Sequence, residues 1–226
     1  MSAPPDTKRP RPVLFHVAMA ALLIAAAAFG VIAQQVATTA PILARDVQVS
    51  VWLHTHGSPV LTAFLLVITQ MHSVLGVFTL SLIAAFFVWR NGDRLWVLSL
   101  ALVVPGGMLI NSALKILFDR ARPTWDDPLL TLTTGSFPSG HAAGSTLFYG
   151  FLACYLVWRM KSDSARALVI LGCVAMVVLV GFSRVYLGVH YLSDVLAGMS
   201  LGTAWLALCM IAVRAFARHR DAMGAG

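Results

Sequence analysis

Glutamate is absent from this sequence, and charged residues of any kind make up only 11% of its 226 positions. A soluble domain normally carries about a quarter of its residues as charges. That scarcity, beside 59% hydrophobic residues, excludes an ordinary water-facing surface and points to a membrane protein. Cysteine is scarce too: Cys154, Cys173 and Cys209 cannot all pair and show no Cys-x-x-Cys spacing. All three lie inside apolar runs and read as small apolar side chains. The net charge of +7 comes without a basic stripe or an aromatic-lined face, which argues against a nucleic-acid partner. No internal repeat, low-complexity tail or long linker divides the chain, so residues 1–226 are expected to form one domain.

Long apolar runs are abundant. A helix rises about 1.5 Å per residue and the hydrocarbon core is about 30 Å thick, so roughly 20 apolar residues span it. Six segments approach that length, at about 14–34, 74–89, 95–115, 142–158, 167–183 and 191–213. The first follows the basic stretch KRPRP but is long for a secretion signal and lacks a clear cleavage site, so it reads as a retained membrane helix. Between the first and second spans, the apolar stretch Val60–Thr69 is too short to cross and is expected to lie along the interface or pack on the bundle; a seventh span is the alternative. Pro105–Gly107 should kink the third span or admit a close neighbour. The expected fold class is all-α: a six-transmembrane-helix bundle with an additional interfacial helix between the first and second spans.

Basic residues set the orientation. With the N-terminus inside, eleven Lys and Arg and four Asp fall on the cytoplasmic side, against five basic and five acidic residues outside. The tails 1–13 and 214–226 are then cytoplasmic. The outer side is neutral in sum, yet it gathers Lys115, Arg122 and Arg184 with His141 and His190.

Three short stretches carry these groups. In KILFDRARP, Lys115 and Arg122 are spaced by nearly two helical turns, so a continuing helix would show both on one face, and Pro123 ends it. Two such cations suit an oxyanion; basic side chains snorkelling to a membrane boundary would look the same. In FPSGH, Pro138 and Gly140 shape a turn and Ser139 is a natural N-cap for a helix starting near His141. A helix start attracts anions, and an interfacial histidine beside a capped helix is the plainer account. In SRVYLGVHYLSD, His190 and Asp194 sit at i and i+4 and share a face if the last helix has begun there. A carboxylate at that depth needs a partner, and bonding to one imidazole nitrogen leaves the other free as a nucleophile. A structural His–Asp pair is the competing explanation. Two His and one carboxylate also resemble a metal set, but three cations aimed at the same place would repel a metal ion, and Asp126 and Asp127 read as a solvated loop pair. No metal and no cofactor are expected.

Taken together, Lys115, Arg122 and Pro123, the run Pro138–His141, and Ser183, Arg184, His190 and Asp194 resemble the three-part signature of the type 2 phosphatidic acid phosphatase superfamily, which includes vanadium haloperoxidases. The resemblance covers about residues 59–213, the expected catalytic core. It implies a helical bundle in which the motifs meet at the outer membrane face, with His190 as nucleophile, Asp194 orienting it and His141 as acid and then base. Lys115, Arg122, Arg184, the Ser139 hydroxyl and the Gly140 N–H would bind phosphate. The implied activity is hydrolysis of a lipid phosphate or lipid pyrophosphate (phosphatidic acid, phosphatidylglycerol phosphate, undecaprenyl pyrophosphate or a lipid A phosphate) at the plasma membrane of a bacterium. The implied partners are that substrate and membrane lipids, with no obligatory protein partner. A lipid phosphotransferase would share the phosphohistidine. A haloperoxidase fits poorly because those relatives are soluble, and an anionic-lipid transporter lacks a trail of polar residues to the other face.

Overall fold

The computed structural model describes residues 12–38, 41–126, 129–130 and 133–224. Residues 1–11 of the expected N-terminal tail, Asp127, and 225–226 lie outside them. The described residues form eight helices and no strand: α1 (Pro12–Ala37), α2 (Ile42–Thr55), α3 (Pro59–Met71), α4 (Val74–Arg90), α5 (Arg94–Phe118), α6 (Gly140–Arg159), α7 (Asp163–Tyr186) and α8 (Leu192–Gly224). Each of the six apolar segments is a helix. Four of them, α1, α5, α7 and α8, are long and apolar enough to cross a membrane. Helix α4 is apolar but has 17 residues, and α6 opens on the polar stretch GHAAGST. Apolar side chains face outward on α1, α4 and α7, among them Ile24, Leu82 and Leu171, as lipid-facing helices require.

Between the first two apolar segments the structure differs from the expectation of one short helix. Two helices stand there, α2 and α3, bent by 119° against each other and apolar enough to cross only when taken together. The apolar signal of α2 is diluted by Asp46 and Ser50, yet both are buried against the bundle, so polar residues that look solvent-facing in sequence turn inward. At the other end of the chain, the expected tail from residue 214 continues as helix through Arg214, Arg218 and Arg220.

Helix α6 is the centre of the bundle, packed against α5, α7 and α8, while α1 lies along α8. Its residues Ala142–Phe148, with Phe151 and Tyr155, are buried. Small residues let the neighbours come close. Gly107, following Pro105 within continuous α5, faces Leu147, and a Cβ there would meet Leu147 Cδ1 at 2.5 Å. On α8, Gly198 and Gly202 form a small-xxx-small pair of the kind that lets helix backbones approach in lipid. A Cβ on Gly198 would stand 2.5 Å from the Ser139 carbonyl oxygen and 3.2 Å from the Ala143 nitrogen. Since backbone cannot swing aside, Gly198→Ala must push α8 off the start of α6. It is expected to cost about 1–3 kcal/mol, read as a lowered Tm in detergent.

These packings bring four helix ends to one end of the bundle: the C-termini of α5 and α7 and the N-termini of α6 and α8. Helix α5 ends at Phe118 because Asp119 adopts a left-handed conformation (φ 36°), its N–H donating to the Lys115 carbonyl at 3.1 Å. The chain then returns as residues 133–138, which run across the end of α5. Ser136 N–H donates to Arg120 O at 2.8 Å, and a Cβ on Gly135 would lie 2.9 Å from the Lys115 carbonyl oxygen.

Candidate active site

Lys115 and Arg122 do meet, though by a different route from the one their spacing suggests. Arg122 lies beyond the helix, so no shared helical face exists. Both cations instead reach the returning segment: Lys115 Nζ donates to Gly135 O at 2.7 Å, and Arg122 NH2 donates to the same oxygen at 3.2 Å. Arg122 is further fixed by Nε to Thr134 O at 2.8 Å and NH1 to Val189 O at 2.7 Å. Its NH1 lies 3.3 Å from His190 Nε2. Half-burial lowers its pKa, with Asp194 pulling the other way.

The PSGH turn starts α6 as expected. Ser139 is the N-cap and accepts from Ala142 N–H at 3.5 Å, while its own N–H donates to the Asp194 carbonyl at 2.9 Å. Gly140 opens the helix and its N–H, like that of His141, has no helical carbonyl to satisfy it. Lys115 lies beside it, its Cε 3.8 Å from where a Gly140 Cβ would stand. His141 is half-buried, against the backbone of Thr69 and within electrostatic range of Arg184 and His190.

His190 is in the loop between α7 and α8 and not on a helix, so its pairing with Asp194 is not the i, i+4 contact of one helical face. The carboxylate caps the start of α8, its Oδ2 accepting from Tyr191 N–H at 2.9 Å. His190 Nδ1 is 3.5 Å from that oxygen, and the Ser136 hydroxyl stands between them. Ser136 Oγ donates to Asp194 Oδ2 at 2.5 Å and lies 3.3 Å from His190 Nδ1. A hydroxyl donates once and accepts as well, so this network assigns the ring proton to Nδ1 and leaves the Nε2 lone pair on the side of Arg122. Burial pushes the His190 pKa down to about 3, outweighing the opposing effect of Asp194, so the ring is neutral near pH 7.

Arg184, in the last turn of α7, is 2% exposed. Its NH1 donates to Thr69 Oγ1 at 2.5 Å, whereas Nε has no partner among the described residues. It lies within electrostatic range of Lys115, Arg122 and His141. Lys115, Arg122, Ser139, Gly140, His141, Arg184, His190 and Asp194 are therefore at one locus. Asp126 is an exposed loop residue.

Four contributors escaped the sequence reading. Thr69 and Ser136 carry no motif of their own, although Ser136 precedes the PSGH turn by two residues. Arg120 and Asp46 count in the sequence only among the five basic and five acidic residues of the outer side. In the structure the Arg120 guanidinium bridges two carboxylates, NH1 to Asp194 Oδ1 at 2.6 Å and NH2 to Asp46 Oδ2 at 2.9 Å. The one sequence hint was a carboxylate, Asp46, inside an otherwise mostly uncharged helix.

Comparison with known proteins places the three motifs inside a family match. The PAP2 superfamily model matches residues 94–218, which include all three motifs. Phosphatidylglycerophosphatase B of Bacillus subtilis is 40% identical over 120 residues, 52% of this chain and 56% of that protein, so the chain spans little more than half the length of this curated relative. Probable lipid phosphate phosphatase beta of Arabidopsis thaliana is 28% identical over 186 residues, 72% of this chain and 85% of that protein. Among solved structures, the transmembrane PAP2-type phosphatidylglycerolphosphate phosphatase from Bacillus subtilis superposes with a TM-score of 0.73 at 28% identity, covering 88% of this chain and 96% of that one. Aquifex aeolicus LpxE, at 22% identity and a TM-score of 0.59 over 73% of this chain and 93% of that one, shares the fold. Motifs, bundle and family match converge: this chain belongs to the PAP2 superfamily.

Proposed function

We propose that the protein is an integral membrane phosphatase that hydrolyses a lipid phosphate or lipid pyrophosphate through a phosphohistidine. His190 Nε2 forms a bond to phosphorus in line with the leaving oxygen, which departs with its bonding electrons and takes a proton from His141. The phosphorylated ring keeps its Nδ1 proton and is cationic, and Asp194, with Ser136, holds that proton and balances the charge. His141 then removes a proton from water, which attacks phosphorus and returns the bonding electrons to Nε2. Lys115, Arg122, Arg184, the Ser139 hydroxyl and the Gly140 N–H bind the equatorial oxygens, where preorganised donors stabilise the transition state most. Arg122 exchanges its contact with Nε2 for a phosphate oxygen as substrate enters. The reaction takes no metal.

The observation that carries the reading is the Arg184 side chain: a buried guanidinium with an unmatched Nε, beside two further cations. Holding like charges close costs free energy unless an anion answers them, and a dianionic headgroup does so. The membrane setting supports a lipid substrate, with the tail among the helices. In this reading six helices cross the bilayer, α2 and α3 line its outer interface, the termini are cytoplasmic, and the site faces outward from a bacterial inner membrane. Phosphatidylglycerol phosphate is the first candidate headgroup, by analogy with the Bacillus relatives.

The test is a panel of phosphatidic acid, phosphatidylglycerol phosphate, undecaprenyl pyrophosphate and a lipid A phosphate, assayed for phosphate release by purified protein in detergent with chelator present. Release from at least one lipid is expected. Release that vanishes on chelation, or none from any lipid, would overturn the assignment; product appearing only when an alcohol acceptor is supplied would make the enzyme a phosphotransferase.

A further inference from the structure

We propose that Asp46 and Arg120 are positioning residues that set the net charge Asp194 presents to His190, which makes α2 part of the reaction machinery although it lies outside the family match. The proposal rests on the phosphohistidine reading above. Arg120 is shared. Its NH1 lies 2.6 Å from Asp194 Oδ1 and 2.8 Å from Ser193 Oγ, and its NH2 lies 2.9 Å from Asp46 Oδ2. Asp46 is anchored in turn by the Ser193 N–H at 3.0 Å and by the Ser193 hydroxyl. Asp194 and Asp46 are 0% and 3% exposed, and the Arg120 side chain 10%. The guanidinium also lies over the Tyr191 ring, 4.4 Å from its centroid.

A salt bridge that only tied α8 to the end of α5 would need one carboxylate. Here there are two around one cation, so the cluster carries one net negative charge. Were Arg120 bonded to Asp194 alone, that pair would be neutral, and the imidazolium formed when His190 takes the phosphoryl group would find no net counter-charge. Asp46 takes up the charge of Arg120 and leaves that of Asp194 for the ring. No bond is made or broken at Asp46 or Arg120, and the effect falls on the cationic intermediate and the transition states flanking it. It should therefore appear in kcat and leave KM nearly untouched.

The charge count makes a prediction that a purely mechanical network does not. Asp46→Asn leaves the cluster neutral, and Arg120→Gln leaves it with two negative charges and no cation to offset them. The double variant restores a single negative charge on Asp194. In full-length protein, with whichever lipid phosphate the wild type hydrolyses, kcat per folded enzyme is expected to fall about 10- to 100-fold in Asp46→Asn, with KM within about threefold of wild type. The double variant is expected to turn over at least about tenfold faster than either single variant. Asp46→Asn that lowers Tm but keeps kcat within about threefold, or a double variant no faster than its parents, would overturn the proposal and leave the network as a tether. If Asp46→Asn does not fold, the comparison of Arg120→Gln with the double variant decides alone. A His190→Ala control separates the two levels: activity that persists without His190 removes the phosphohistidine and this proposal with it. Loss of activity in His190→Ala with indifferent Asp46 and Arg120 variants sinks only the charge balance.

Discussion

Replacing His190 by alanine is expected to lower phosphate release by about 10⁴-fold or more, the scale on which removal of an activated nucleophile acts, and to abolish an acid-labile phosphoryl label on the enzyme. The neighbourhood explains why so much depends on one ring. Its Nδ1 is held toward Ser136 and Asp194, its Nε2 faces Arg122, and burial keeps it neutral with a pKa of about 3. A pKa below the ordinary histidine value means the ring stays unprotonated as pH falls, down to about that figure. Lowering the pH from about 8 to 5 should therefore not imitate the alanine variant, and any acid limb in that range belongs to another group. Asp194→Asn is expected to depress turnover strongly with only a modest change in affinity, since in the proposed mechanism it removes the charge that balances a phosphorylated ring without touching the proposed phosphate contacts. Residual turnover in His190→Ala within about tenfold of wild type would remove His190 as the attacking group.

Arg120→Leu is expected to be the most damaging substitution for stability, at about 3–5 kcal/mol, read as a large drop in Tm in detergent. Removing the cation strands Asp46 and Asp194, both buried, without the donor that offsets their desolvation. The contrast with Arg159 makes the argument quantitative. Arg159 bonds Asp93 at 3.4 Å with 47% of its side chain exposed, and Arg159→Ala should cost no more than about 1 kcal/mol. Equal small effects in the two variants would mean that the Arg120 network is loose enough for water to enter. Helix α2 should be the first element to loosen, because Asp46 is its polar link to the start of α8.

Much of this protein could be read along the chain. Apolar run length is a local property, and each of the six runs became a helix, the last continuing past its expected end at residue 213. The residues later found at the site were legible because oxyanion chemistry asks for particular types: cations, an N-capping serine before a helix start, a histidine near a carboxylate. Their convergence could not be read in the same way. Lys115 and Arg122 meet through Gly135 because Asp119 ends α5 early, and His190 reaches Asp194 beside Ser136 because α8 begins only at Leu192. Both facts depend on where a helix stops, and packing decides that more than the residues at the boundary do.

What sequence by itself determined, then, was the helical class, the membrane character and the inventory of groups able to handle a phosphate. Only the tertiary structure decided that Asp46 belongs with Arg120 and Asp194, three residues with no shared periodicity, and that α2 and α3 form a bent pair flanking the site. The physical reason is that a buried charge chooses its partner among whatever side chains the packed helices bring within reach. Separation along the chain carries no information about that choice once the intervening segments have folded away.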